Sequence, residues 1–266
     1  HGLPFHRGQG PARRACFWAA EWLTSRITTA PVCVGEELRR QTLACRLGRE
    51  SDTTVVRSGI ETERFLAAAS CRARLGIADD VKVVGIVSRM ASHKGHLSLV
   101  AALPSDATLL FVGAGEEREA VEEAVRRRGI KAIFAGHVPP EAVPDLIASM
   151  DVLAHPSIWE GLPRAAVQAL LVGRPVVAFD CDGAREVVEE GLTGRLVSPG
   201  SVPDLAAALA QILSTPDRGR AWGLAGRERM VRLFDAHRCA ADLSAVYERL
   251  FQGPTTGTPP RSVPGA

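Results

Sequence analysis

The run Ser157-Ile158-Trp159-Glu160-Gly161-Leu162-Pro163 sets a carboxylate and a glycine at a turn, directly ahead of a stretch with helical patterning at 164–172. Such a turn offers backbone N–H groups and the positive end of a helix dipole to an anion. The carboxylate beside it can accept hydrogen bonds from hydroxyls, so a phosphate carrying a sugar would use both. Far upstream, Arg89 and Lys94 lie five residues apart on one loop. Arginine as a planar fork and lysine as a point charge can meet on one diphosphate, or both can simply face solvent. Three further segments bear on the same ligand, each with a plainer alternative. Gly113-Ala114-Gly115 lacks the third glycine of a dinucleotide fingerprint and the lysine of a P-loop, and tight strand-to-helix packing explains it equally well. Gly136-His137-Val138 would lay backbone and Val138 against a nucleotide base, or form an ordinary turn. Asp182-Gly183-Ala184-Arg185-Glu186 suits either a helix start or contact with sugar hydroxyls.

These loops need strands to aim them. From about residue 81, short apolar runs alternate with helical patterns, which predicts a parallel sheet flanked by helices. Strands are expected at 81–87, 108–112, 132–135, 152–155, 175–178 and 194–197. Helices are expected at 96–103, 116–128, 142–150, 164–172 and 203–213, with a short turn at 185–190 and two amphipathic helices at 220–234 and 238–251. In open parallel sheets the ligand binds beyond the carboxyl ends of the strands, where the loops named above lie. The first 75 residues form a separate block, with helices at 12–26 and 36–47 and strands at 31–34 and 53–56. No internal repeat is present, and the tail from Gly253 is rich in Pro, Gly, Thr and Ser, which predicts disorder.

Taken in order, the loops resemble the retaining, metal-independent glycosyltransferases of family 4, whose GT-B architecture sets two Rossmann-like domains face to face. The resemblance rests on Val84-Gly85-Ile86-Val87-Ser88-Arg89 through Lys94-Gly95, Phe111-Val112-Gly113-Ala114-Gly115, Phe134-Ala135-Gly136-His137-Val138, and His155-Pro156 through Pro163. It continues through Glu186-Val187-Val188 to Gly191-Leu192-Thr193-Gly194, and covers the chain from its start to about residue 251. It implies a complete C-terminal α/β domain at 61–235 and the remnant of an N-terminal one at 1–60. It also implies a C-terminal helix at 236–252 that crosses back to the N-terminal domain. Arg89 and Lys94 would neutralise the donor diphosphate, and Glu160 would hold donor-sugar hydroxyls. Backbone around Gly161, Leu162 and Pro163 would meet sugar or phosphate, although Pro163 has no N–H to give. The family's second glutamate, eight residues after the first, binds the ribose diol; here Gln168 stands there, keeping an acceptor but losing the charge-assisted bond. His1-Gly2 resembles the segment whose histidine faces the donor sugar, so His1 joins Glu160 as a catalytic candidate.

The implied reaction moves a glycosyl group from an NDP-sugar to an acceptor hydroxyl on a glycan, a lipid-linked molecule or a small molecule, with retention and without a resident cofactor or metal. Two alternatives stand beside it: a truncated NDP-sugar-binding module without turnover, or another enzyme of this architecture such as an NDP-sugar epimerase. The first residue is His rather than Met and no strand precedes it, so the chain is expected to begin partway through its protein.

Bulk properties fit a globular domain: 266 residues, 46% hydrophobic, 23% charged, net charge +2. That charge gives no reason to expect nucleic acid. Basic residues concentrate in the first 75 positions, either as solvated helix faces or as a surface for the inner face of a membrane. The six cysteines form no CxxC and no metal spacing, which predicts reduced thiols and a cytoplasmic protein.

Overall fold

Short apolar runs separated by helical segments fold into two parallel sheets in the computed structural model, which describes residues 2–5 and 8–252. His1 and the tail beyond residue 252 lie outside the described residues. In the N-terminal lobe, α1 (Pro11–Ser25) and α2 (Glu36–Ala44) flank β1 (Val32–Cys33) and β2 (Thr54–Val55). β1 and β2 are parallel, with Val32 opposite Thr54 and Cys33 opposite Val55. A five-residue helix, α3 (Thr62–Leu66), follows; it is too short to carry a helical period and the sequence patterning misses it.

The C-terminal lobe alternates β3 (Lys82–Val87), α4 (His96–Ala102), β4 (Ala107–Val112), α5 (Arg118–Arg128), β5 (Ala132–Gly136), α6 (Val143–Ala148) and β6 (Val152–His155). It continues with α7 (Arg164–Val172), β7 (Val176–Phe179), α8 (Ala184–Val187), β8 (Gly194–Val197), α9 (Val202–Ser214) and α10 (Pro216–Phe234). α11 (Ala236–Gln252) ends the described chain. Strands this uniformly apolar are stable only when both faces are covered. Val83, Leu110, Leu153, Val176 and Ala178 enter one core layer. Their neighbours Val84, Leu109, Phe111, Val152, Ala154, Val177 and Phe179 enter the other.

The six strands run in the order β5-β4-β3-β6-β7-β8, all parallel. Strand order reverses between β3 and β6. The carboxyl ends of those two strands therefore flank the crevice in which open α/β sheets bind ligands. The loops leaving them carry Lys94 and Glu160.

α7, which follows the Glu160 turn, is seated on α10 by residues without side chains. A Cβ at Gly223 would overlap the Gly173 carbonyl at the end of α7, and one at Gly226 would fall 2.5 Å from Leu170 Cδ2. The lobes meet where two crossings run side by side: Ile60 N–H donates to the Phe234 carbonyl at 2.7 Å, and a Cβ on Gly59 would lie 2.7 Å from Ala236 Cα. α11 reaches the N-terminal lobe through Arg249, which donates to Thr54 Oγ1 at 3.3 Å. Among the described residues no helix is long and apolar enough to cross a membrane, and no cluster of three or more His, Cys, Asp or Glu residues could hold a metal ion.

Candidate functional site

Four contacts zip the loop after β3 onto the loop after β6. Gly95 adopts φ 74°, and a Cβ there would overlap the Pro156 carbonyl, so only glycine lets the two backbones lie this close. Ile158 N–H donates to the His93 carbonyl at 2.9 Å. The His93 and Trp159 rings stack with centroids 4.8 Å apart at 11°. Lys94 Nζ then reaches Glu160 Oε1 at 2.5 Å, and both side chains are largely buried. Residues 66 positions apart thus form one ion pair at the switch point of the sheet.

His155, the last residue of β6, is buried with Nε2 3.2 Å from the same Glu160 oxygen, although not aligned as a hydrogen bond. Burial pushes the Glu160 carboxyl up, but His155 and Lys94 outweigh it and hold it down at about 2. Glu160 is therefore a fixed negative charge at neutral pH, an acceptor of hydrogen bonds rather than a proton shuttle. Beneath the pair, His96 is buried against Ser88 Oγ at 3.3 Å. Burial, with help from Lys94 and His93, lowers its pKa to about 4, so it stays neutral. Cys181, whose Sγ donates to the Ser157 carbonyl at 3.0 Å, is pushed up to about 12 by burial and by Asp182, Glu160 and Asp180, so it remains a thiol.

The turn also leaves donors unused. The N–H groups of Gly161, Leu162, Arg164 and Ala165, at the start of α7, have no acceptor among the described residues. Pro163 is buried as the residue preceding α7, and Leu162 is buried against the core. Two of these N–H groups, Arg164 and Ala165, open a nine-residue helix and the other two, Gly161 and Leu162, lie in the turn before it, so with Lys94 close by the segment offers donors to an anion.

The other sequence candidates fall around this centre. Arg89 is exposed on the β3 loop, and its guanidinium makes no bond to the described residues. Gly113 packs on the Ser88 carbonyl and donates its N–H to the Gly136 carbonyl at 2.8 Å, and a Cβ on Gly115 would fall 2.8 Å from Met90 N. That glycine turn packs loop on loop, not strand on helix. Val138 is partly buried against the core. Gln168 is half-buried on α7 with an amide that bonds none of the described residues. Gly2 comes up to Gly161: a Cβ on Gly2 would lie 3.8 Å from Gly161 N. The segment bearing His1 therefore arrives at the Glu160 turn, while His1 itself lies outside the described residues.

The Asp182–Glu186 segment does more than start a helix. Glu186 accepts from the N–H groups of Glu36 (3.0 Å) and Glu37 (2.9 Å), capping α2 from across the lobe boundary, with Arg57 3.7 Å from the same carboxylate. Asp182 accepts from Glu160 N–H at 2.8 Å and from Gln41 Nε2 at 3.0 Å. Neither carboxylate was legible as an inter-lobe contact, because nothing local in the sequence marks it. His155 did leave a signal: a lone polar residue closing an apolar strand at the end where ligands bind.

A family model described as "Glycosyl transferases group 1" matches residues 69–229. The chain is 32% identical to the 2-deoxystreptamine glucosyltransferase of Streptomyces kanamyceticus, over 79% of this chain and 58% of that protein. It is 33% identical to a GDP-mannose-dependent alpha-(1-6)-phosphatidylinositol monomannoside mannosyltransferase of Mycobacterium tuberculosis, over 71% of this chain and 54% of the relative. It thus spans a little over half the length of these relatives. Among solved structures, Anabaena HepE in complex with UDP and glucose superposes with a TM-score of 0.80 at 25% identity, covering 88% of this chain and 67% of that one. The sucrose-phosphate synthase of Thermosynechococcus elongatus superposes with a TM-score of 0.83 at 26% identity, covering 92% and 64%. The fold is GT-B-like, with a complete C-terminal sheet and a minimal N-terminal one.

Proposed function

Because the chain belongs to the group 1 glycosyl transferases, we propose that its protein transfers a sugar from a nucleoside-diphosphate donor to an acceptor hydroxyl, with retention at the anomeric carbon. The observation that carries this reading is the Lys94–Glu160 pair at the leading end of α7, beside four unpaired N–H groups. Lys94, the α7 N–H groups and Arg89 face the diphosphate and stabilise it as a leaving group. Glu160 accepts from the donor-sugar hydroxyls, and its charge favours the positive, oxocarbenium-like carbon that develops at C1. Gln168 takes the ribose diol, Gly113 and Val138 border the base, and His1 is the second catalytic candidate.

In the reaction the C1–O bond to the diphosphate breaks and a bond from the acceptor oxygen to C1 forms. The acceptor proton passes to the departing phosphate oxygen. Glu160, held at about 2, is too weak a base to take it, and Cys181, pushed up to about 12, offers no thiolate nucleophile. Attack on the face that the diphosphate leaves accounts for retention. HepE was solved with UDP, whereas the M. tuberculosis relative is named for GDP-mannose, so both bases belong in the test.

Titration calorimetry with UDP and GDP provides that test. One of the two should bind, and Lys94→Ala should weaken it by about ten- to a hundredfold, the worth of a charge-assisted hydrogen bond. Unchanged binding in Lys94→Ala, or no binding of either nucleotide, would overturn the reading. A second reading, a module that binds the donor without transferring, is favoured by Gln168, which cannot offer the ribose diol a charged acceptor. Gln168→Glu should raise nucleotide affinity by about tenfold if the ribose diol is its partner. Donor binding without any transferred or hydrolysed sugar in the wild type would decide for the second reading.

A further inference from the structure

We infer that Asp182 is a positioning residue for Glu160, and that through Gln41 it makes the aim of that carboxylate depend on how α2 is seated. The inference rests on the donor-site reading above. Asp182 holds φ 44°, a left-handed conformation that few residues other than glycine keep without compensation. The glycine beside it is not free to take that role instead. Gly183 keeps an ordinary φ of −73°, and its Cα packs so tightly on the Gly161 carbonyl that a side chain would overlap it. The turn therefore puts its strained position on an aspartate.

Both oxygens of that aspartate are in use. Oδ2 accepts from Glu160 N–H at 2.8 Å, fixing the backbone of the residue that grips the sugar. Oδ1 accepts from Gln41 Nε2 at 3.0 Å, one turn into α2. Gln41 is itself held, since Nε2 also donates to Glu37 Oε1 at 2.9 Å. The start of α2 is anchored separately by Glu186. One carboxylate is thus shared between the Glu160 loop and the opposite lobe. If α2 shifts, Asp182 loses the partner that helps hold the left-handed turn, and the Glu160 backbone loses a fixed acceptor. Lys94 restrains the Glu160 side chain, but not its main chain.

Two readouts test this on the protein as it stands: calorimetry with UDP and with UDP-glucose, and the amide resonance of Glu160 by NMR. Gln41→Ala should move the Glu160 amide resonance and weaken UDP-glucose by about tenfold while changing UDP by less than about twofold. Asp182→Gly relaxes the backbone and should keep its melting temperature, yet lose UDP-glucose affinity as Gln41→Ala does. Asp182→Asn retains one acceptor and should recover part of the loss. Equal weakening of UDP and UDP-glucose, or an unmoved Glu160 amide in Gln41→Ala, would overturn the inference. Should the wild type bind neither UDP nor GDP, the donor reading falls by itself, and the Glu160 amide response in Gln41→Ala still decides whether Asp182 couples the lobes; a wild type that binds GDP alone takes the same test with GDP and GDP-mannose.

Discussion

In the C-terminal lobe the four inner strands of a six-stranded sheet are covered on both faces, whereas β1 and β2 of the N-terminal lobe span two residues each and α1 buries no residue at all. The contrast carries over to the site. Lys94, His155 and Glu160 are aimed by strands whose side chains are locked in the core, and their loops are packed backbone against backbone. Gln41, Glu36 and Glu37 sit on a helix that gains much of its placement from Asp182 and Glu186 of the other lobe. One lobe supplies its own order, and the other takes part of its order from its neighbour.

If that contrast is right, Phe179→Ala should cause the largest loss of stability. Phe179 is 1% exposed in the second core layer, and removing a buried phenyl group costs about 3–5 kcal/mol. Urea denaturation measures it; a loss below about 1 kcal/mol would mean that the sheet is not packed as described.

Acid should sharpen the comparison next. His96, in the C-terminal lobe, has its folded pKa lowered from 6.5 to about 4. Between those values the unfolded chain binds a proton that the folded chain refuses, so stability falls as pH drops from 6.5 to 4, by up to about 3 kcal/mol, and is fully regained above 6.5. Glu160, depressed from 4.5 to about 2, contributes stability above 4.5 that is lost only as pH falls toward 2. His96→Gln should therefore flatten the upper window of a melting-temperature–pH curve and leave the lower one in place. An unchanged slope between pH 6.5 and 4 would assign the acid sensitivity elsewhere.

The smallest effect belongs to Trp18→Ala on α1. The residue is 40% exposed, and its ring stacks on Trp22 at 6.4 Å and donates to the Cys45 carbonyl at 3.4 Å. A loss of less than about 1 kcal/mol is expected in the same denaturation series. A cost rivalling that of Phe179 would erase the distinction between the lobes.

What the sequence revealed follows the same division. Most strands of the C-terminal sheet announced themselves as largely apolar runs, because burial on both faces favours that composition, whereas the edge strand β8 carries Arg195 within it. Lys94 and Glu160 were recognisable because both follow strands and ligands gather at carboxyl ends; that they meet at 2.5 Å depends on Gly95, whose role is visible only once Pro156 is seen behind it. The bridge from Gln41 to Asp182 spans 141 residues and exists only after the lobes dock, so no local pattern could announce it. Likewise, in Cys181-Asp182-Gly183 the glycine invites assignment of the left-handed position to itself. The close approach of Gly161 moves that position to the aspartate.

The bare face that α10 turns toward α7 has a consequence for how damage spreads. A methyl group added at Gly223 has nowhere to go but into the Gly173 carbonyl, and α7 is the element that must give way. Its opposite tip, about 13 Å along a nine-residue rod, is where the unpaired amides sit. A substitution at this buried helix contact would thus register at the far end of α7, and if that end cradles the donor phosphate, nucleotide affinity would be the more sensitive gauge of the contact.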